Sequence, residues 1–371
     1  MSQLFTSWAL GDMHLPNRIV IAPMCQYSAV EGSATDWHLI HLGHLALSGA
    51  GMLILEATAV SPQGRITPGC LGLYSDANEA ALARVLAGVR ANSGMPLAIQ
   101  LAHAGRKGSS HAPWDGGQQI RQGEALAWQT ESACALPHAE GEDAPMALDR
   151  EGLKRVRDDF VAAARRAARA GLDGIELHGA HGYLLHQFLS PLANQRDDAY
   201  GGSLENRMRF PLEVFDAVRE AFPAHKPVWM RISATDWVPG GWNIEGTVEL
   251  SKALKRRGCA AIHVTTGGVS PAQAIKIGPG FQVPYAQRVK AEAGLPTLAV
   301  GLITEAEQAE AIIAKGEADA VSLARAMLYD PRWPWHAAAR LGAKVQAPRQ
   351  YWRSAPREVK DLFEGLKFGM R

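Results

Sequence analysis

The sequence lacks any long apolar run and any excess of charge of one sign. No segment approaches the roughly 18 consecutive apolar residues that a membrane-spanning helix needs. The opening MSQLFTSWALGDMHLPNR has no basic start followed by an apolar stretch, as a secretion signal would. Lys and Arg number 38 against 37 Asp and Glu, which gives a formal net charge of +1, with both signs mixed along the chain. We therefore expect a cytoplasmic protein that binds neither membranes nor nucleic acid.

Cysteine is scarce, and one common nucleotide-binding signature is missing. The four cysteines (Cys25, Cys70, Cys134 and Cys259) are widely spaced and include no CxxC pair, so we expect reduced thiols. The absence of GxGxxG argues against a dinucleotide held in a Rossmann half.

Short apolar runs alternate with amphipathic helical patterns along the chain. Eight strands are predicted, at residues 19–22, 52–56, 97–101, 174–178, 228–233, 261–265, 297–300 and 320–323. The clearest helix follows Asp149, a suitable N-cap, with apolar residues from Leu153 to Ala164 on one face and Gly171 at its end. Six more helices are predicted at residues 77–92, 204–221, 244–257, 285–293, 305–315 and 333–340.

Eight strands alternating with helices predict a parallel sheet closed as a (β/α)8 TIM barrel. The competing doubly wound sheet usually has a Gly-rich loop after its first strand, whereas Pro23-Met24-Cys25 follows here. Residues 104–148, between strand 3 and helix 3, are too many for an ordinary connection. We expect this segment to cross the barrel mouth.

The stretch 174–188, GIELHGAHGYLLHQF, is the predicted centre of function. It begins as a strand, whose alternation directs Glu176 and His178 to one side, and the loop beyond adds His181 and Tyr183. A core strand rarely directs Glu and His inward without a polar partner or ligand. In a TIM barrel, the loops after the carboxyl ends of strands hold the functional residues.

Three other strand-end residues leave two explanations open. Arg231 lies on the inward face of its strand, next to the strand that carries Glu176, where a buried ion pair explains it as well as a ligand contact does. Gln100 could satisfy loop backbone groups, and Cys25 could be an inert buried thiol.

Gly301 and Ala324-Arg325 follow strands seven and eight. TIM barrels commonly bind a phosphate at this position, through backbone N–H groups and a helix N-terminus. An arginine there adds a charged clamp. A phosphorylated cofactor lying between this position and the histidine cluster fits the pattern.

Six blocks of sequence carry a resemblance to one family: RIVIAPMCQYS (18–28), EATAVSPQGRITPG (56–69), IQLAHAGRK (99–107), HGAHGYLLHQFLSPLANQRDDAYGGSLENRMRF (178–210), MRISATDW (230–237) and APRQYWR (347–353). With them the chain resembles the Old Yellow Enzyme family of flavin-dependent ene-reductases, in particular the bacterial thermophilic-like branch that includes the xenobiotic reductases. The resemblance covers nearly the whole chain except parts of 108–145 and the last residues.

The resemblance implies an NADPH dehydrogenase type of enzyme. Tightly but non-covalently bound FMN would take hydride from NADPH or NADH and pass it, by ping-pong transfer, to the C=C bond of an α,β-unsaturated carbonyl compound. Nitro compounds and quinones are further candidate substrates. It also implies one FMN-binding domain, residues 1–371, capped by 104–148. The tail 341–371 would reach a neighbouring subunit of a homodimer or homotetramer.

The resemblance also assigns roles to individual residues. The expected FMN contacts are Ala22, Pro23, Met24, Cys25, Ala57, Gln100 and Arg231, with Gly301, Ala324 and Arg325 at the phosphate. Cys25 would also tune the flavin potential. The expected substrate-side residues are His178 and His181 at the carbonyl oxygen, Tyr27 beside them, Tyr183 as proton donor, and Arg353 entering the neighbouring subunit's site.

The chain departs from the family pattern before Arg325, where Ala324 stands in place of the usual glycine. The added methyl group requires a backbone conformation that alanine tolerates. Trp352, next to Arg353, is a second position where we expect an effect, on the neighbouring subunit's substrate pocket.

Other classes of protein account for fewer of these residues. A metal-dependent barrel hydrolase using His103, His178 and His181 is the main alternative, but no His-x-His follows the first strand. A glycosidase needs paired carboxylates at strand ends, and the two candidates, Glu56 and Glu176, both precede those ends. A dihydrouridine synthase would normally have a basic surface. A binding protein would not need so many ionisable groups at one rim. We expect no metal.

Overall fold

The computed structural model describes residues 2–359 and 361–366. The chain opens with an antiparallel hairpin of strands β1 (Trp8–Leu10) and β2 (Met13–Leu15). A Cβ on Gly11, in the hairpin turn, would lie 3.5 Å from the Cβ of Pro227, the residue before a barrel strand. The hairpin therefore lies at the amino-terminal end of the barrel, away from the predicted functional loops.

Eight parallel strands close into a barrel, which confirms the predicted TIM-barrel fold. They are β3 (Ile19–Ile21), β4 (Met52–Ala59), β5 (Leu97–Ala102), β8 (Gly174–Gly179), β9 (Val228–Ser233), β10 (Ile262–Thr265), β11 (Thr297–Ala299) and β12 (Ala320–Leu323). Two short strands, β6 (Glu131–Ser132) and β7 (Met146–Ala147), pair separately. Each predicted barrel strand begins within one residue of its observed start.

Strand β4 is longer than predicted because it contains a β-bulge. Its pairing with β5 shifts register between Leu55 and Ala57, so Glu56 is the extra residue. The Glu56 carboxylate lies 3.3 Å from His38 and accepts the backbone N–H of Gln26 at 3.0 Å. The strand continues three residues beyond Glu56, the last residue of the predicted strand 52–56.

Ten helices surround the barrel in the described part of the chain. They are α1 (Asp36–Ala46), α2 (Asp76–Arg90), α3 (Arg150–Arg169), α4 (Leu184–Leu189), α5 (Leu204–Ala221), α6 (Ile244–Lys255), α7 (Val283–Ala293), α8 (Ala306–Ala314), α9 (Arg325–Tyr329) and α10 (Trp333–Leu341). None of these helices is long and apolar enough to cross a membrane.

The predicted helix after Asp149 is confirmed in detail. The Asp149 side chain accepts the backbone N–H of Gly152 at 2.8 Å, and Leu153, Val156 and Phe160 are buried. Helix α1 was missed because its apolar and buried faces do not coincide. Trp37 and Ile40 are 51% and 63% exposed, whereas two histidines of the same helix are buried.

Residues 104–148 lie against the loops at the carboxyl end of the barrel. Arg106 Nη2 donates to the carbonyl oxygen of Val269 at 2.8 Å, and Lys107 Nζ donates to that of His181 at 2.9 Å. The Trp114 ring meets that of Tyr27 edge-on, with 5.6 Å between centroids. The segment thus contacts the loops that follow β3, β8 and β10.

The C-terminal tail folds onto helix α10. Val345 pairs with Phe363, and Phe363 packs against Trp335. A Cβ on Gly49, in the loop before β4, would lie 2.7 Å from the Val345 side chain, so the tail begins near the amino-terminal end of the barrel. Of the predicted tail 341–371, residues 360 and 367–371 lie outside the described residues.

Candidate functional site

Two imidazole rings meet at the carboxyl end of β8. His178 belongs to the strand and His181 to the loop after it, and His178 Nε2 lies 3.4 Å from His181 Nδ1. The Tyr183 ring packs edge-on against His178, with centroids 4.8 Å apart. The structure therefore brings together the three residues predicted as the centre of function.

The outer nitrogen of each imidazole has its own partner. His178 Nδ1 accepts the backbone N–H of Ala180 at 3.3 Å, which leaves the proton of a neutral ring on Nε2. His181 Nε2 lies 3.0 Å from Thr265 Oγ1, so a donating Thr265 hydroxyl leaves the His181 proton on Nδ1. In this pair of tautomers the two N–H groups cannot bond to each other, and both are available to one oxygen atom placed between them.

Both imidazoles are uncharged at neutral pH. Burial, and then the positive charge of Arg231, lowers the pKa of His178 and of His181 well below the ordinary value. With the tautomers given above, the pair is a neutral double hydrogen-bond donor.

The loop that carries His181 has a strained backbone. His181 has φ +58 and Gly182 φ +75, two left-handed residues in succession. The His181 N–H donates to Ser233 Oγ at 3.0 Å, and its carbonyl oxygen accepts from Lys107 Nζ at 2.9 Å. Side chains from β9 and from segment 104–148 thus hold the conformation that directs the ring.

Replacing Gly182 by alanine is expected to destabilise the fold by roughly 3 kcal/mol or more. A Cβ there would overlap the carbonyl oxygen of Gly268 as well as adopt a left-handed conformation. Gly240→Ala is the matched control, because Gly240 also has φ +75 but no described atom within 4 Å of its added Cβ. Urea unfolding of both variants measures the difference, and equal losses of stability would show that the Gly268 contact is unimportant.

Lys107 is a residue of this site that sequence reasoning missed. Its Nζ donates to the carbonyl oxygens of His181 and Gly268 at 2.9 and 3.0 Å and lies 5.2 Å from the Tyr183 ring centroid. Burial, and then the nearby Arg106 charge, lowers the pKa of Lys107 to about 8. The lysine ends a 3-10 turn after β5, so strand alternation could not predict its direction.

The loop after β3 places Cys25 and Tyr27 on the same end of the barrel. Burial raises the pKa of the Cys25 thiol well above its ordinary value, so it is a neutral thiol at pH 7. Burial also raises the pKa of Tyr27, which has φ +49. The bulged Glu56 holds this loop through the Gln26 N–H.

The carboxylate of Glu176, inside the barrel, has three partners. Gln100 Nε2 donates to it at 2.7 Å and Trp229 Nε1 at 2.6 Å, and His263 Nδ1 lies 2.8 Å away. Because the Gln100 amide nitrogen is used here, its carbonyl oxygen remains available to another donor. Gln100 therefore does not satisfy loop backbone, which was the other explanation of this residue.

Arg231 is buried beside this network but does not form the ion pair that the sequence left open. In the described part of the chain its guanidinium makes no salt bridge, and its buried Nε has no hydrogen-bond partner. Burial lowers the pKa of Arg231, and Glu176, Cys25 and Tyr183 oppose that shift. A buried arginine with an unsatisfied N–H fits a ligand that presents hydrogen-bond acceptors, as the polar edge of FMN does.

The predicted phosphate residues lie on the adjoining side of the barrel mouth. The Ala22 N–H donates to the carbonyl oxygen of Leu323 at 2.9 Å, so the end of β3 adjoins Ala324. Ala324 has φ −107 and ψ −90, and the Arg325 side chain after it is exposed. Gly301 has φ +116, where a Cβ would lie 3.1 Å from the Gln282 side chain.

The other predicted cofactor contacts lie on neighbouring strands at the same end. Ala57 pairs with Gln100 across β4 and β5, and Pro23 and Met24 directly follow β3.

Trp352 and Arg353 are not brought to the site of their own chain. They belong to a turn, Arg349–Ser354, in the tail. Trp352 Nε1 donates to the carbonyl oxygen of Ala347 at 3.1 Å, and its ring packs on the Trp335 cluster. The Arg353 side chain is exposed.

The metal-site alternative is not supported. His103 Nδ1 accepts the Gly105 N–H at 3.1 Å, and its Nε2 lies 3.7 Å from Glu131. Within residues 2–359 and 361–366, no three His, Cys, Asp or Glu side chains are grouped to hold a metal ion.

Comparison with known proteins gives consistent matches over nearly the whole chain. Residues 3–343 match the model of the NADH:flavin oxidoreductase / NADH oxidase family. An NADPH dehydrogenase of Geobacillus thermodenitrificans is 43% identical over 94% of this chain and 98% of its own length. One of Listeria innocua is 42% identical over 95% and 99%. The structure of a morphinone reductase aligns with a TM-score of 0.75 at 30% identity, over 99% of this chain and 94% of that one.

Proposed function

The chain belongs to the NADH:flavin oxidoreductase / NADH oxidase family, the family of the Old Yellow Enzymes, and from this we propose that it reduces activated C=C bonds. It is an oxidoreductase with FMN as cofactor and NAD(P)H as hydride donor, as the resemblance implied. The proposed substrates are α,β-unsaturated carbonyl compounds, with nitro compounds and quinones as further candidates.

The paired imidazoles are the observation that carries this proposal. Reduction of an enone builds negative charge on its carbonyl oxygen, and two neutral N–H donors directed at one point stabilise such a charge. His178 Nε2 and His181 Nδ1, 3.4 Å apart, provide this arrangement. Tyr183, packed against His178, is the proposed proton donor to the carbon next to the carbonyl group.

The remaining site residues are proposed to hold the cofactor. FMN, when bound, supplies the hydride chemistry. Arg231 and the free carbonyl oxygen of Gln100 would contact its polar ring edge, together with Ala22, Pro23, Met24 and Ala57. Gly301, Ala324 and Arg325 would contact its phosphate. Cys25, a neutral thiol, would lie beside the ring and adjust its potential, and Tyr27 would add a hydrogen bond to the substrate.

Arg231→Met is expected to weaken FMN binding about 10- to 100-fold. Hydrogen bonds to a charged group contribute about 1.5–3 kcal/mol, and this arginine has an unsatisfied buried N–H to offer. Titration of the apoprotein with FMN, followed by flavin fluorescence, gives the affinity. Arg219→Met is the control, because Arg219 donates to backbone carbonyl oxygens at the end of α5. Equal FMN affinity in both variants would remove Arg231 from the cofactor site.

The substrate class is tested with the purified FMN enzyme under anaerobic conditions. NADPH and NADH are each supplied with cyclohexenone, a maleimide, a nitroarene and a quinone, and the products are identified by mass. We expect saturated products, with deuterium from labelled NADPH on the β carbon. Oxidation of NAD(P)H by the quinone alone, without any C=C saturation, would contradict the ene-reductase proposal.

We also propose that the chain forms a homodimer or homotetramer in which Arg353 completes a neighbouring site. The support is an exposed Arg353 away from its own site and exposed apolar side chains, including Tyr329 at 94% and Ile40 at 63%. Co-assembly of Arg353→Ala and Tyr183→Phe subunits should then give more activity than either parent, since mixed pairs contain one site without a defect. Activity equal to the average of the parents would contradict a shared site.

We propose, finally, that the chain forms one domain in which residues 104–148 cap the barrel mouth. The support is the set of contacts from Arg106, Lys107 and Trp114 to three barrel loops.

A further inference from the structure

A fully buried polar cluster lies beneath the loop that carries His181 and Tyr183. It consists of His186 on α4, Ser190 just after that helix, and Asp236 after β9, each 0% exposed. His186 Nε2 lies 2.9 Å from Asp236 Oδ1, and Ser190 Oγ donates to Asp236 Oδ2 at 2.6 Å. None of the roles assigned above uses these residues.

The hydrogen-bond directions in this cluster are determined by backbone groups. The Gly182 N–H donates to His186 Nδ1 at 2.9 Å, so the ring proton lies on Nε2, the nitrogen that contacts Asp236 Oδ1. The other carboxylate oxygen of Asp236 also accepts the Trp242 N–H, at 2.7 Å. Asp236 therefore accepts from two donors through Oδ2, and its Oδ1 contacts the His186 ring at 2.9 Å, which favours the tautomer that the Gly182 N–H requires.

The cluster resembles a hydrolytic triad in composition only. The Ser190 hydroxyl donates to Asp236, and His186 is engaged by Gly182 and Asp236. No side chain of the cluster is exposed to a substrate. The cluster contacts the candidate site through the N–H of Gly182, which lies between His181 and Tyr183 and donates to His186.

We propose that His186, held by Asp236, is a positioning residue that keeps the His181–Tyr183 loop in its active conformation. Gly182 has φ +75 and follows the left-handed His181, so this backbone needs external support. Gln187 Nε2 supports the Gly182 carbonyl oxygen, and His186 supports its N–H. Without an acceptor at Nδ1, the buried N–H is unsatisfied and the loop relaxes. The two imidazole donors then no longer share one acceptor.

This inference rests on the proposed function, since it assumes that the paired imidazoles bind an enolate-like oxygen. A phenolate, such as that of p-hydroxybenzaldehyde, is a stable mimic of that oxygen. Its complex with FMN enzymes of this kind is expected to show a long-wavelength charge-transfer band, which measures the geometry of the pair without turnover.

Four variants of the FMN-loaded enzyme separate positioning from packing. His186→Leu removes the acceptor, whereas His186→Asn places an amide oxygen close to the Nδ1 position. Asp236→Asn keeps the His186 ring, but its NH2 group must face either the Trp242 N–H or His186 Nε2. The first places two donors against each other, and the second favours the His186 tautomer whose Nδ1–H opposes the Gly182 N–H. Ser190→Ala removes one donor to Asp236 and leaves its contact with His186 intact.

We expect His186→Leu to weaken p-hydroxybenzaldehyde binding and slow enone reduction by about 100-fold, the cost of a displacement of about 1 Å at a reacting centre. Asp236→Asn should show a loss of the same kind, His186→Asn should recover much of it, and Ser190→Ala should bind like the wild type. FMN affinity should be unchanged in all four.

Three results would overturn the inference. One is phenol binding by His186→Leu and Asp236→Asn within twofold of the wild type. Another is a loss in Ser190→Ala equal to that in Asp236→Asn, which would indicate general loosening of the core. Failure of the wild type itself to bind the phenol would contradict the proposed function, and the inference would fail with it.

Discussion

Tyr183→Phe is expected to slow enone reduction by roughly 10²- to 10⁴-fold while the half-reaction in which NADPH reduces the flavin stays nearly unchanged. A positioned general acid contributes about this much to a proton-transfer step. Burial raises the pKa of Tyr183 well above its ordinary value, so the hydroxyl is fully protonated at neutral pH. The substitution removes only the proton that this residue can deliver.

The phenylalanine ring should keep the packing of the tyrosine. The edge-on contact with His178 and the position of the Lys107 ammonium 5.2 Å from the ring centroid depend on the ring alone. Anaerobic stopped-flow mixing, with NADPH in one experiment and cyclohexenone in the other, measures the two half-reactions separately. Tyr200→Phe is the control, because it removes a hydroxyl that bonds to Glu213 on α5. A loss confined to the NADPH half-reaction would show that Tyr183 has another role.

The positions of strands and of strand-end residues were predictable because they depend on local periodicity. Alternation in GIELHGAHGYLLHQF correctly placed Glu176 and His178 inside the barrel, and the loop after it brought His181 and Tyr183 alongside. Helix α1 was not predictable, because it buries His38 and His41 while it exposes Trp37. Its apolar residues lie on the exposed face as well as on the buried face, so their spacing does not identify the buried side.

Hydrogen bonds and ion pairs between residues far apart in the chain could not be predicted from the sequence. The sequence left open an ion pair between Glu176 and Arg231 beside a ligand contact, since their strands are neighbours. In the structure, donors from β5, β9 and β10 surround Glu176, and that arrangement follows from closure of the whole barrel. Lys107 was missed for the same reason, because its direction is set by a 3-10 turn and not by a strand.

The double substitution of His178 and His181 by alanine is expected to slow enone reduction by about 10²- to 10³-fold. Removing one oxyanion donor typically has an effect of this size. The two donors act on one oxygen, so their effects on the rate are not independent. We therefore expect the fold-losses of the two single variants, multiplied together, to exceed the fold-loss of the double variant. The Ala180 N–H and the Thr265 hydroxyl, which contact the outer ring nitrogens, would remain in place.

Replacement of His178 by glutamine and of His181 by asparagine tests whether donation or shape matters. The glutamine amide reaches the Nε2 position and the asparagine amide the Nδ1 position, but neither has the volume of the imidazole. If the proposed role is correct, this amide variant should bind p-hydroxybenzaldehyde more tightly than the alanine variant and should reduce enones faster. His336→Ala, at an exposed histidine paired with Asp330, controls for the loss of an imidazole elsewhere.

The pH dependence separates neutral donors from charged ones. Because the pKa of each imidazole is lowered well below its ordinary value, neither ring should gain a proton between about pH 6 and 8. Phenol binding by the wild type should therefore show no histidine titration in that range once ionisation of the phenol itself is subtracted. A residual step near pH 6.5 that disappears in the alanine variant would mean that an imidazolium binds the oxygen. Stabilisation by two neutral N–H groups would then be the wrong description of this site.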